Sequence, residues 1–162
     1  MTTSHLGYHD RTTERPVIAR ALAMILGVVF LVVGIVGFIR TGFDGFFDHH
    51  TDEHLLWFEL NPMHNVVHLA FGVIGVLLAR TTRGALTYGL IVGIGYGAAL
   101  IYGLVALDQS WDFLSINVAD NWLHAALAAV GLLIAALAAG ELAEQRQATE
   151  LDTARPDRGS IA

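Results

Sequence analysis

Long apolar runs separated by short polar stretches dominate the chain. Uncharged apolar segments extend from Val17 to Ile39, from Val66 to Ala79, from Ala85 to Leu107 and from Ala125 to Gly140. A helix needs about 20 residues to cross a bilayer. The first and third segments reach that length alone. The second and fourth reach it by including the polar stretch that opens each, Asn61 to His68 and Asn117 to His124. The runs lack the period-two alternation of a β-barrel. The expected fold is therefore all-α and integral to the membrane, a four-transmembrane-helix bundle spanning 17–140. Residues 1–16 and 141–162 are polar, and the second of these tails reads as frayed or disordered. No small-x-small cleavage site follows the first run, which is read as a retained helix and not as a signal peptide.

The two polar openings resemble each other. Asn61-Pro62-Met63-His64-Asn65-Val66-Val67-His68 returns as Asn117-Val118-Ala119-Asp120-Asn121-Trp122-Leu123-His124. Spacings of three and four place the polar residues of each copy on one helical face. Small residues continue that face, Gly72, Gly75 and Ala79 in one copy and Ala128, Gly131 and Ala135 in the other. Two such faces can approach closely, so helices two and four are expected to touch there. The two hairpins then form a parallel internal repeat, with any symmetry axis along the membrane normal. Helix one carries the small-residue ladder Ala19, Ala23 and Gly27, and helix three the row Gly89, Gly93 and Gly97. Such rows let backbones meet where lipid gives no hydrophobic drive. Packing inside the bundle is preferred over a seam between copies of a homo-oligomer.

Charge adds an orientation. Of the nine basic residues, all arginine, only Arg40 falls on the side of the two longer loops. The excess on the other side predicts both termini in the cytoplasm. The opposite face gathers Asp44, Asp48, Asp52, Glu53, Glu59, Asp108 and Asp112, which makes nucleic acid an ill-matched partner and cations welcome there. The stretch Asp48-His49-His50-Thr51-Asp52-Glu53-His54 within the first loop can gather a divalent cation, although histidine-acid loops are more often simply solvated. Only 15% of residues are charged against roughly 25% in a soluble domain, and cysteine is absent, which excludes disulfides and thiolate metal sites.

The motifs Asn61-Pro62-x-His64-Asn65-x-x-His68 and Asp120-Asn121-x-Leu123-His124 resemble those of a family of small, mostly actinobacterial membrane proteins classed as a domain of unknown function. The resemblance covers about residues 16 to 140 and implies the four-helix fold and a bacterial inner-membrane location, with no activity attached. Chemistry must supply the rest. His64 and His68 stand one turn apart, as do Asp120 and His124, and on facing helices they can ligate a transition metal such as zinc, copper or iron, with Asn65 and Asn121 as supporting hydrogen-bond partners. A competing reading is structural. Asn61 and Asn117 cap helices, Asp120 complements a helix dipole, and His68–Asn121 and His124–Asn65 hydrogen bonds form an interhelical clasp in an accessory subunit of a larger membrane complex. A b-type haem on His68 and His124 is a further alternative, disfavoured by the close helices the glycines imply, and a proton or ion path is another. No nucleophile paired with a base and no phosphate-binding glycine motif appears, so an enzyme is not expected.

Overall fold

The computed structural model describes residues 18–49 and 51–154. The expectations for 1–16, for His50 and for 155–162 fall outside the described residues. Helix α1 spans Ile18–Thr41, a short hairpin pairs β1 (His54–Leu55) with β2 (Phe58–Glu59), and α2 (Pro62–Leu78), α3 (Thr82–Ala106) and α4 (Val118–Thr153) follow. The described residues are thus all-helical apart from one small hairpin. Helices α1, α3 and α4 are long and apolar enough to cross a membrane. With 17 residues, α2 is about 25 Å long at 1.5 Å per residue, just under the roughly 30 Å hydrocarbon core.

Small residues face inward and large apolar ones outward. In α1 the buried positions are Ala19, Ala23, Gly27, Phe30, Gly34 and Gly37, while Ile25, Val28, Val32, Ile35 and Ile39 are exposed. In water such an arrangement forfeits the burial that drives folding; in lipid it lets backbones touch and leaves aliphatic side chains to the acyl chains. The closest packing joins α1 to α2 and α3 to α4. A Cβ at Gly27 would meet the Gly75 backbone at 2.9 Å, and one at Gly89 would meet Gly131 O at 2.7 Å and Ala135 N at 2.6 Å.

The expectation that small residues bring α2 and α4 together is corrected here. No Cα pair between α2 and α4 comes within 8 Å among the described residues. Gly72 packs on Leu31 and Gly75 on Gly27, both in α1, while Gly131 packs on Gly93 and Gly89 of α3. Small residues go where antiparallel neighbours within a hairpin must lie closest. Of the glycine row in α3, Gly89 and Gly93 serve this contact, whereas a Cβ at Gly97 would meet nothing within 4 Å.

A second correction concerns the stretch after Gly140. Helix α4 continues unbroken to Thr153, so residues 141–153 of the expected frayed tail are helical. Glu141 to Gln147 is rich in strong helix formers, and Gly140 adopts no left-handed cap that would stop the helix. Glu141 also accepts a hydrogen bond from Ala19 N–H at 3.1 Å, which closes an otherwise open donor in the first turn of α1.

The loops at the other end are laced together. Asn61 caps α2 by accepting from His64 N–H at 2.8 Å, and its Nδ2 donates to Asp48 O at 2.9 Å and Phe113 O at 2.8 Å. Asn117 caps α4 in a capping box with Asp120, and its Nδ2 donates to Trp57 O at 2.9 Å. Each cap therefore reaches into the loop of the other hairpin. Trp57, Trp111, Trp122, Phe43 and Phe47 are exposed around this end, the belt expected at a membrane-water interface. The turn of the hairpin puts Leu56 at φ 60°, a left-handed conformation rare outside glycine, and holds Leu56 and Trp57 outward.

Candidate metal centre

Capping fixes the first turns of α2 and α4, and those turns carry the polar residues. Pro62 at N1 needs no hydrogen-bond partner for its nitrogen, so α2 starts cleanly and sets His64 at N3. In α4 the N3 residue is Asp120, whose Oδ2 accepts from Asn117 N–H at 3.0 Å. His124 lies one turn further along. His64, Asp120 and His124 are all buried, and their potential ligand atoms lie within 4.8 Å of one another. The backbones of α2 and α4 stand apart, and these long side chains fill the space between them. The rings of His64 and His124 have centroids 6.3 Å apart, inclined at 54°.

Two nitrogens decide the chemistry. Among the described residues, Nδ1 of His64 and Nδ1 of His124 are buried and have no hydrogen-bond partner. A buried polar atom left without a partner costs about 1–3 kcal/mol. The Leu114 and Glu59 backbones lie beside the His64 ring and that of Ala99 beside His124, where a carbonyl can take the other ring N–H. Metal-binding imidazoles commonly give one ring N–H to a backbone carbonyl and ligate with the other nitrogen. Tetrahedral coordination at 2.0–2.2 Å puts ligand atoms about 3.4 Å from one another. Modest rotation of three side chains closes that difference.

The remaining predicted residues lie elsewhere. His68 stacks on His64, centroids 4.9 Å apart, and its Nδ1 is 3.4 Å from Tyr96 OH, with Phe30 against its ring. It borders the cluster and is not one of the three converging residues. Asn65 donates to Thr41 Oγ1 at 2.9 Å and fits its carbonyl over Gly37 of α1. Asn121 fits its carbonyl over Gly103 of α3. Among the described residues no hydrogen bond joins either asparagine to His68 or His124. The position after His64 on α2, and after Asp120 on α4, is turned by about 100° and faces that helix's own hairpin partner. Of the loop residues, Asp48, His49, Asp52 and Glu53 line an open cavity of about 430 Å³ with Asn61, and His54 pairs with Glu59 in the hairpin. They do not converge as His64, Asp120 and His124 do.

Residues that the linear pattern did not single out complete the surroundings. Tyr96 stacks on Phe30 at 5.2 Å and lies 5.4 Å from the His124 ring. Glu59 accepts from Ser115 Oγ at 3.3 Å and lies against Asp120. Buried Asp112 accepts from Ile116 N–H at 2.7 Å and Leu114 N–H at 3.1 Å, fixing the loop above the histidines. The available signal for Tyr96 was a tyrosine amid a glycine-rich spanning segment, shared with two other tyrosines of α3, Tyr88 and Tyr102; Glu59 and Asp112 carried none beyond charge.

No curated protein and no solved structure matches the chain. The family described as "Domain of unknown function (DUF4383)" matches residues 20–137, a stretch that contains α2, α3, both laced loops and the converging histidines and aspartate. On that match across most of its length, the chain belongs to this family of unknown function.

Proposed function

We propose that the protein binds one divalent transition metal ion through His64, Asp120 and His124, between α2 and α4. The observation that carries this reading is that His64, Asp120 and His124 are buried with ligand atoms within 4.8 Å of one another, each histidine keeping a buried, unpartnered Nδ1. Two imidazoles and one carboxylate suit zinc or ferrous iron and accept copper(II). Asp120 accepts from Asn117 N–H and lies against the Glu59 backbone, and its two oxygens, with about four lone pairs between them, retain capacity for an ion. A purely hydrogen-bonded clasp accounts for Asn65 on Thr41 but leaves both imidazole nitrogens without partners. Haem has less support, because the cavity beside the histidines holds about 60 Å³, against 300–1,000 Å³ for ordinary cofactor sites.

The same reading sets the site in a repeat of two parallel hairpins. Paired features support this arrangement: Asn61 and Asn117 as caps, Asn65 over Gly37 and Asn121 over Gly103, and glycine contacts in both hairpins. It makes α2 a fourth membrane crossing, places both termini in the cytoplasm of a bacterial inner membrane, and sets the site near the outer face.

Elemental analysis of the protein, purified without chelator and then dialysed against zinc, tests the metal reading. One zinc per chain is expected in the wild type, none in His64→Ala or His124→Ala, weaker binding in Asp120→Asn, and retained zinc in His68→Ala. A wild-type protein that refuses zinc, copper and iron while folded overturns it.

A further inference from the structure

Resting on the metal reading above, we infer that the bound ion keeps one coordination position open toward the cavity between α2 and α3, and that a small neutral molecule of diatomic size, arriving from the lipid, occupies it. Three donors converge where a tetrahedral ion takes four. The obvious fourth, His68, is not among the donors that converge, and its Nδ1 lies 3.4 Å from Tyr96 OH. Beside the cluster lies a cavity of about 60 Å³, lined by His64 and His124 themselves and by His68 and Tyr96. Asp120 does not line it, so the cavity meets the ion on the side of the two imidazoles.

Size and polarity select the ligand. A single water fills about 10–15 Å³ on the same measure, so a few heavy atoms fit and a metabolite does not. The outer wall is apolar, formed in part by Val67, Phe71 and Ala99, all half-buried at the seam between the hairpins. Helices α2 and α3 pack less extensively there than partners within a hairpin, and Ile94 and Ala98 beside the seam are exposed on the lipid-facing surface. From the water side, buried Ile116 and the laced loops cover the histidines. A charged molecule therefore meets an apolar wall, while a lipid-soluble one partitions to the seam directly. Tyr96 OH and His68, adjacent to the open position, can hydrogen-bond the outer atom of such a ligand.

Nitric oxide on ferrous protein is the probe. Wild type, Ala99→Leu and Val67→Phe are loaded anaerobically with ferrous ion, iron is counted per chain, and nitric oxide is added while the ferrous-nitrosyl signal is followed by electron paramagnetic resonance. The inference expects one iron per chain in all three proteins, a nitrosyl signal in the wild type, and loss of that signal in at least one variant that still holds iron. Iron without a nitrosyl signal in the wild type overturns the open position and leaves the metal reading standing. Equal signals in all three proteins overturn the cavity as its location. Refusal of ferrous ion contradicts the inference, and refusal of zinc as well removes the metal reading beneath it.

Discussion

Four asparagines hold the site end of the bundle in register, and they do so in two pairs. Asn61 and Asn117 each close a helix start and reach across to the other hairpin's loop. Replacing either with alanine removes a cap worth about 1 kcal/mol together with the cross-loop bond. Both variants are expected to melt at lower temperature in detergent, with the loops over the site cleaved more readily by protease. Asn65 and Asn121 fill notches over Gly37 and Gly103, where an added Cβ would collide with the amide oxygen. Gly37→Ala and Gly103→Ala should therefore destabilise the protein by about 1–3 kcal/mol, the usual cost of overpacking. Gly97→Ala is the control, since its Cβ meets nothing and alanine favours the helix by up to about 1 kcal/mol. Equal melting temperatures for Gly37→Ala and Gly97→Ala would contradict the packing described.

Helix positions were legible in the sequence because lipid imposes a crude and strict rule: every spanning backbone must be helical and apolar for about 20 residues. The caps were legible too, since Asn-Pro and an asparagine three residues before an aspartate have few other uses. Which face meets which neighbour was not. The stripe through Gly72 and Gly75 served α1 instead of α4, because a pattern of small residues tells how close a partner comes and not which partner it is. Two-residue strands at His54–Leu55 and Phe58–Glu59 are too short to leave a periodic signal. The continuation of α4 to Thr153 was hidden by reading polarity as disorder, although charged helix formers outside the membrane remain good helix formers. The crossing assigned to α2 is checked by single cysteines, which the cysteine-free chain makes clean. Cysteine at Trp57 and at Arg80 should label from opposite sides of the membrane. Labelling of both from one side would leave α2 as a re-entrant helix.

At the scale of the molecule, two hairpins packed tightly within themselves and loosely against each other leave a seam. Polar side chains buried at its loop end include His64, His68, Asp120 and His124. Three of the four residues read as ligands from the sequence, His64, Asp120 and His124, converge there, while His68 is taken up by Tyr96. That division could not be read from spacing, because His68 and His124 hold equivalent positions in the two motifs. It goes with Tyr96 of α3, whose hydroxyl reaches His68 across the seam, whereas the α1 ring packed on His68 is that of Phe30, which offers no hydrogen bond. Cysteine at Leu151, reached only by a reagent that crosses the membrane, would place the end of α4 in the cytoplasm as the arginine distribution requires; labelling from outside by an impermeant reagent would invert the whole arrangement. The most direct measurement of the central claim is the X-ray absorption spectrum of zinc-loaded wild type beside that of His68→Ala. The account predicts two imidazole nitrogens and oxygen donors at about 2.0–2.2 Å in both proteins. A third imidazole that disappears in His68→Ala, or an all-oxygen shell in the wild type, would contradict it.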